Sequence, residues 1–310
     1  MKIILAPMEG VVDHAMRELL TALGPYDLCI TEFVRVVDQV YKPPYFHRIS
    51  PELRQGGTTR AGVPVRVQLL GQHPDWMAEN AVVATDLGSP GIDINFGCPA
   101  KTVNRNKGGA VLLQEPETLY KIVSRIRAAV PDHLPVSVKM RLGYENTDLA
   151  TDCARAIEDG GASLLTIHAR TKVDGYRPPA HWHLIKDIRQ QVSLPLVANG
   201  DIWSRADAEK CRIVSGCDDL MIGRGALCLP NLSAVIQDDA APMAWEKTCA
   251  LLLDYAVFVR DDKQRGYLPS RLKQWFRYLK RQYPEAEILF EKIKRLRELD
   301  QILAVIKQEL

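Results

Sequence analysis

The sequence predicts an α/β fold, a (β/α)8 TIM barrel followed by a small all-helical C-terminal segment, and three observations predict it. Short β-rich apolar runs recur eight times in about the first 225 residues. Amphipathic stretches separate them, the spacing expected of alternating strands and helices. From Trp245 onward no strand signal remains. A doubly wound open sheet is the alternative, but no GxGxxG follows the first run, as a dinucleotide fold would want.

The runs fall at 3–6, 28–31, 63–70, 91–95, 135–141, 163–168, 195–199 and 219–222. Each is read together with the loop after it, because barrel enzymes carry their chemistry at the C-terminal ends of strands. The first ends in Ala6-Pro7-Met8-Glu9-Gly10, a sharp turn offering backbone amides. The third carries Gln68, an amide inside an otherwise apolar run. In the fourth, Ile92, Ile94 and Phe96 alternate with Asp93 and Asn95, and Gly97-Cys98-Pro99 then set a thiol on a rigid turn. A basic, glycine-containing loop follows, with Lys101, Arg105, Lys107, Gly108 and Gly109, and then an amphipathic helix over 117–129.

Alternation in the fifth run puts Lys139 and Arg141 on one face. A lysine between valine and methionine in a central strand is costly unless it meets an anion or an electron-rich ligand. A helix over 151–158 leads to the sixth run, where His168 and Arg170 complete a cationic constellation with Lys139. The last two runs close on Asn199-Gly200-Asp201 and Gly223-Arg224-Gly225. Loops after strands seven and eight are the usual phosphate cradle of a barrel, and glycine lets backbone N–H groups approach phosphate oxygens. Arg224 adds a forked, charge-assisted donor.

Hydrophobic content of 46% and charged content of 25% are those of a soluble globular chain of 310 residues. No apolar run reaches the roughly 18 residues of a membrane span, and MKIILAPMEG is too short a run for a secretory signal. Seven scattered cysteines without a CxxC argue against a disulfide framework and a zinc site, and fit a reducing cytoplasm. The net charge of +2 conceals an asymmetry. Residues 243–310 hold 14 Lys+Arg against 10 Asp+Glu, net +4, leaving 26 against 28, net −2, in residues 1–242. Within 263–284 there are seven basic residues and no acidic one, a local cluster suited to a polyanion or to a solvated helical face. Helices are expected over 245–260, 270–282 and 285–310, punctuated by Pro269 and Pro284. In the middle one Leu272, Phe276 and Leu279, with Tyr283, share one face, and Lys273, Arg277 and Lys280 share another. A barrel of 1–242 and a helical unit of 243–310 is the expected division.

A cofactor with a phosphate and a polar ring fits this inventory. Flavin mononucleotide (FMN) would place its phosphate on the loops of Asn199, Gly200, Asp201, Gly223 and Arg224, and its ring near Pro7, Met8, Glu9, Gln68, Lys139 and His168. A cation beside the N1–C2 edge stabilises a reduced flavin. A phosphosugar substrate would satisfy the same composition, and Cys98 taken alone is equally a small buried hydrophobe.

Taken together, the motifs resemble the bacterial tRNA-dihydrouridine synthases over nearly the whole chain. They are APMEGVVD at 6–13, TEF at 31–33, VQLLG at 67–71, DINFGCPAKTV at 93–103, GGA at 108–110, VKMRLG at 138–143, HARTK at 168–172, ANGDI at 198–202 and MIGRGAL at 221–227. SRLKQW at 270–275 and CITEFVRVVDQ at 29–39 are most similar to the C-type subfamily. The resemblance implies that NADPH reduces bound FMN, that a D-loop uridine, at position 16 for this subfamily, flips into the barrel mouth, and that hydride passes from flavin N5 to uracil C6 while Cys98 protonates C5. It further implies that Asn95, Lys139, His168 and Arg170 hold the flavin ring or the uracil edge and that Arg141 and Tyr176 meet the flipped nucleotide. Arg35, Arg271, Lys273, Arg277 and Arg295 would then contact RNA backbone. A tRNA lying across both units suits a monomer. Two rival readings are an FMN barrel acting on a free pyrimidine, similar to dihydroorotate dehydrogenases, and a catalytically idle barrel that binds tRNA.

Overall fold

Eight parallel strands close on themselves in sequence order in the computed structural model, which describes residues 1–260 and 267–310. They are β1 (Ile3–Leu5), β2 (Leu28–Arg35), β3 (Val65–Leu70), β4 (Ile92–Phe96), β5 (Val136–Gly143), β6 (Leu164–Thr171), β7 (Leu196–Asn199) and β8 (Asp219–Ile222). β8 pairs back onto β1 through Ile3–Leu220, Ile4–Met221 and Leu5–Ile222, so the sheet has no edge. Every predicted run forms a strand, and β2, β5 and β6 run two to four residues further toward the mouth than expected. The extension of β2 follows from an irregular register between Ile30 and Phe33. There Thr31 Oγ1 accepts the Gln68 N–H at 3.1 Å, a hydroxyl standing where a ladder carbonyl would be. The helices expected over 117–129 and 151–158 are Pro116–Ala129 and Ala150–Asp159.

Alternation along the strands separates two interiors. Ile3, Leu5, Val65, Val67, Ile92 and Ile94 point outward and join the helices in one large apolar core. Ile4, Ala6, Leu28, Ile30, Val197 and Met221 point inward and form a separate small cluster on one side of the barrel. The opposite side is polar: Arg66, Gln68, Asp93, Asn95 and Ser137 are all buried there. A barrel interior is normally filled by bulky aliphatic side chains, so a polar half requires internal hydrogen bonds.

The C-terminal helices are Trp245–Arg260, Leu268–Leu279, Pro284–Ile293 and Leu299–Lys307. Lys263 and Arg265, two of the basic residues of the 263–284 stretch, lie outside the described residues. Instead of the single helix expected over 285–310 there are two. Nine positions separate Ile293 from Ile302, which at about 100° per residue is half a turn out of phase. Both side chains are fully buried, so the chain must break and fold back to bury them together. These helices share the barrel's apolar core rather than forming one of their own. Trp275 is buried, with its indole N–H donating to Leu227 O at 3.0 Å, and stacks edge-on against Tyr255.

A buried ion pair ties the first helix to the loop before β3. Arg17 and Glu52 are both fully buried; Nε and Nη2 of Arg17 donate to the two Glu52 oxygens at 2.7 and 3.0 Å, and Ile49 O takes a further bond at 3.0 Å. Burial pushes the Glu52 carboxyl up, but Arg17 and His14 outweigh it and hold the group at about 2, below its ordinary 4.5. Glu52→Gln leaves a buried guanidinium half paired and is expected to cost about 3 kcal/mol of stability at pH 7. A depressed carboxyl contributes stability that is complete above its unfolded value and lost on acidification. Urea unfolding should therefore show a nearly constant gap between wild type and variant from pH 7 to about 5, narrowing as the pH falls further toward 2.

Candidate active site

A cavity of about 490 Å³ opens at the C-terminal ends of the strands, within the ordinary range of ligand sites. Pro7, Met8, Glu9, Gln68, Asn95, Cys98, Lys139, Arg141, His168, Tyr176, Asn199, Gly200, Asp201, Gly223 and Arg224 all line it. Fifteen expected site residues from strands and the loops after them thus converge on one space.

Cys98 is the one cysteine of the seven that is not buried. Its turn is held from both sides. Asn95 Oδ1 accepts the N–H groups of Gly97 and Cys98, each at 2.9 Å, while Cys98 O accepts from Asn104 Nδ2 at 2.9 Å and Ala110 N at 3.1 Å. Gly109 packs directly behind it: with φ of +67°, it would bring a Cβ within 2.9 Å of the Cys98 Cβ. The GGA motif is therefore a backing plate for the thiol. Lys101, Arg105 and Lys107 point to solvent. Burial raises the thiol above its ordinary value; the Ala100 amide opposes it, and the weaker effects of Glu9, which raises it, and of Arg141 and Arg35, which lower it, follow. The thiol is protonated at neutral pH.

Facing it is a cluster of cations. Burial, then Arg141, lower Lys139 to about 8 against an opposing Asp93. Among the described residues no protein acceptor is hydrogen-bonded to its Nζ. His168 is buried and surrounded by Lys139, Arg141, Arg170 and Arg224, so burial and these charges hold its imidazole neutral, well below its usual value. At the rim, Glu9 rises to about 7 through burial and then repulsion by Glu32.

On the far wall, Arg224 lies between the rings of Tyr176 and Trp203, 4.7 and 4.9 Å from their centroids. Its Nη2 donates to Asp201 Oδ1 at 3.1 Å. Asp201 adopts a left-handed φ of 51° and also holds Arg170. Gly225 allows the closest approach of chain to chain here, since a Cβ would sit 2.1 Å from Ile202 O, and a Cβ at Gly223 would sit 3.3 Å from Met8 Sδ. Trp182 secures the neighbouring loop by donating to Gly200 O at 2.9 Å. The structure thus sets cavity-lining glycine backbone and a rigid guanidinium at the ends of β7 and β8, a donor set that suits a phosphate.

Several expected residues have other partners. Arg170 is fully buried behind the wall, bonded to Asp201 and Arg177 O and 3.5 Å from His168 Nε2; it positions the site rather than lining it. Asp201 faces two arginines, which makes it a clamp on Arg224. Arg141 lines the cavity, but its donors hold Gly97 O, Thr171 O and Gly175 O at 2.9 Å each. Arg271 is not a free surface cation: it pairs with Asp13 at 2.5 Å and bonds Gly10 O and Val11 O, joining a C-terminal helix to the loop that carries Glu9. Lys273 bonds Leu296 O between the last two helices. A spacing argument cannot foresee these acceptors, because each comes from a distant part of the chain. Arg277 and Arg295 are exposed, and Arg35 is half-buried at the end of β2.

Sequence reasoning missed Glu32, Phe33, Trp203 and Tyr278, which also line the cavity. Glu32 lies in the TEF motif and was legible as a polar residue at a strand end; Tyr278, from the C-terminal helices, carried no such signal. Among the described residues no group of His, Cys, Asp or Glu is arranged to hold a metal ion.

Fold and site define a (β/α)8-barrel protein with its chemistry at the C-terminal mouth. Solved structures with the same fold include the old yellow enzyme homologue of Zymomonas mobilis, at TM-score 0.53 and 16% identity over 78% of this chain and 90% of that one. Morphinone reductase in complex with tetrahydroNAD aligns at TM-score 0.53 and 12% identity over 78% and 88%. The family described as dihydrouridine synthase (Dus) matches residues 4–308, and the chain belongs to that family. Relatives named tRNA-dihydrouridine(16) synthase include those of Shewanella oneidensis, 53% identical over 99% of this chain and 98% of that protein, and Vibrio vulnificus, 52% over 98% and 96%.

Lys139 carries a cost in the ligand-free protein. Its folded value of about 8 lies below the ordinary 10.5, so the unfolded chain binds more protons between them and stability rises with pH across that window. Lys139→Met is expected to stabilise the ligand-free protein by about 1–3 kcal/mol at pH 7. Calorimetric melting of both proteins should show the advantage shrinking toward pH 10.

Proposed function

We propose that the chain reduces a tRNA D-loop uridine, at position 16, to 5,6-dihydrouridine, with FMN as bound cofactor and NADPH as its reductant. Family membership and the names of relatives about half identical to it support this reading. The observation that carries it is the placement of the one cysteine that is not buried: Cys98 stands at the mouth of a cavity also lined by Lys139 and His168.

The cavity fits the flavin on the chemistry of its donors. Gly200, Gly223 and Arg224 would hold the phosphate; Pro7, Met8, Gln68, Lys139 and His168 would meet the ring, with Asn199 and Asp201 shaping its wall. Lys139, whose Nζ is hydrogen-bonded to no acceptor among the described residues, would face an electron-rich ring edge. Bound flavin supplies hydride for uracil C6. Cys98, kept protonated by its raised value, delivers the proton to C5. A pyrimidine inside a folded tRNA reaches this depth only if flipped out of its stack. Asn95, Arg141 and Tyr176 would border the flipped nucleotide, and Arg35 would sit beside it.

In this reading residues 1–242 form the catalytic barrel and 243–310 carry tRNA, with Arg277 and Arg295 on phosphates and Arg271 and Lys273 supporting them. The chain would act as a monomer in the cytoplasm. No described helix is long and apolar enough to cross a membrane.

Dihydrouridine mapping of tRNA from cells lacking all such synthases, complemented with this gene, tests the reading. Dihydrouridine should appear at position 16 alone, and Cys98→Ala should remove most of it while retaining bound flavin. Modification at another position would overturn the site assignment, and wild-type rates from the alanine variant would overturn the role of Cys98. Replacing Arg277 and Arg295 by serine should weaken tRNA binding without changing flavin content. Each lost phosphate contact should reduce the slope of log affinity against log salt by about 1 in filter binding.

A further inference from the structure

Gln68 and Asn95 are buried side-chain amides, and each has two nearly isosteric orientations. Their neighbours allow one. Asp93 is buried on the barrel's polar side, where a carboxylate can only accept. Its Oδ2 takes a hydrogen from Gln68 Nε2 at 2.7 Å, and its Oδ1 takes one from Ser137 Oγ at 2.5 Å. Ser137 Oγ in turn accepts from Arg66 Nη1 at 2.9 Å. With its NH2 turned to Asp93, Gln68 presents Oε1 to Asn95, whose Nδ2 donates at 2.7 Å. Asn95 is left with Oδ1, which accepts the Gly97 and Cys98 N–H groups. The chain ends at one side on a group that only accepts and at the other on two groups that only donate.

We infer that Asp93 is a positioning residue: through the Gln68–Asn95 relay it sets the orientation of the turn that presents Cys98 to the cavity. Burial raises the Asp93 carboxyl above its ordinary value, opposed by the hydrogen bonds from Gln68 and Ser137 and then by the charges of Arg66 and Lys139. Without Asp93 the Gln68 NH2 has no fixed acceptor, Gln68 is free to turn, and Asn95 loses the oxygen that holds its own NH2. The inference rests on the proposed role of Cys98 only for its catalytic consequence. The relay itself is read without tRNA or reductant, so its failure is separable from failure of that role.

Cys98 alone of the seven cysteines is not buried, so iodoacetamide labelling of the purified, folded protein reports on it. Asp93→Leu should accelerate labelling at pH 8 by about fivefold or more, because the released turn is better solvated and thiolate formation is easier. Asp93→Asn keeps an oxygen for Gln68 and should remain within about twofold of wild type. An unchanged rate in Asp93→Leu overturns the proposal. So does an Asn variant as fast as the Leu variant, which would assign the effect to charge alone. If Asp93→Leu does not fold, a swap of polarity decides. Gln68→Glu alone sets two carboxylates against each other, whereas Gln68→Glu with Asp93→Asn restores donor to acceptor along the chain. The double variant should return the pH profile of labelling toward wild type. A recovered melting temperature without a recovered labelling profile would leave only a structural role and overturn the assignment.

Discussion

A carboxylate buried inside a barrel must be satisfied on every side, and the Asp93 carboxylate organises the polar half of this one. Ser137, Gln68 and, through Ser137, Arg66 surround it. The aliphatic cluster of Ile4, Leu28, Ile30 and Val197 fills the other half. The asymmetry has a functional logic. Aliphatic side chains give a barrel stability but no direction, whereas hydrogen bonds in a low-dielectric interior define where each donor and acceptor points. Here the directed chain ends at the backbone N–H of Cys98. The thiol is thereby placed from inside the barrel, and Gly109, Asn104 and Ala110 support it from outside.

The electrostatics of the mouth follow from burying many charges of one sign together. Lys139, Arg141, Arg170 and Arg224 surround His168, which lies far below its ordinary value and therefore contributes no further charge. Lys139 is lowered but still cationic at neutral pH. Cys98 moves the other way, since burial disfavours a thiolate and Glu9 adds to the effect. A proton-holding thiol beside a cation-lined pocket is the division of roles that the proposed reduction needs.

The C-terminal helices are built into the mouth. Arg271 bonds the loop that leads from β1 to the first helix, and Tyr278 lines the cavity itself. Arg281 lies 3.9 Å above the Trp203 ring, whose other partner is Arg224. A continuous stack of rings and guanidinium groups thus runs from these helices to the glycine–arginine cradle. Charges that a linear reading assigns to an external partner are in part internal ties, and the surface left for a polyanion is narrower than the sequence count suggests.

Much of this architecture is legible in the residues alone. Short apolar, β-rich runs mark all eight strands, because a strand buried between barrel and helices must be apolar at most positions, and the exceptions, Gln68, Asn95, Lys139 and His168, point to the mouth. Gly109 behind Cys98, and Gly225 beside Arg224, mark places where chain must approach chain closely. Local pattern could not tell which charges would find internal partners. Asp13 and Arg271 are 258 residues apart, and Asp93 and Ser137 are 44 apart. Nor could it show that the final helix breaks, since both halves carry helical periodicity and only the shared core requires Ile293 and Ile302 to face the same way. The sequence by itself determined the barrel and pointed to its mouth and to Cys98, because these depend on residue type and local period. Tertiary structure alone decided which polar groups satisfy one another, because that pairing is set by long-range closure of the chain around a water-poor interior.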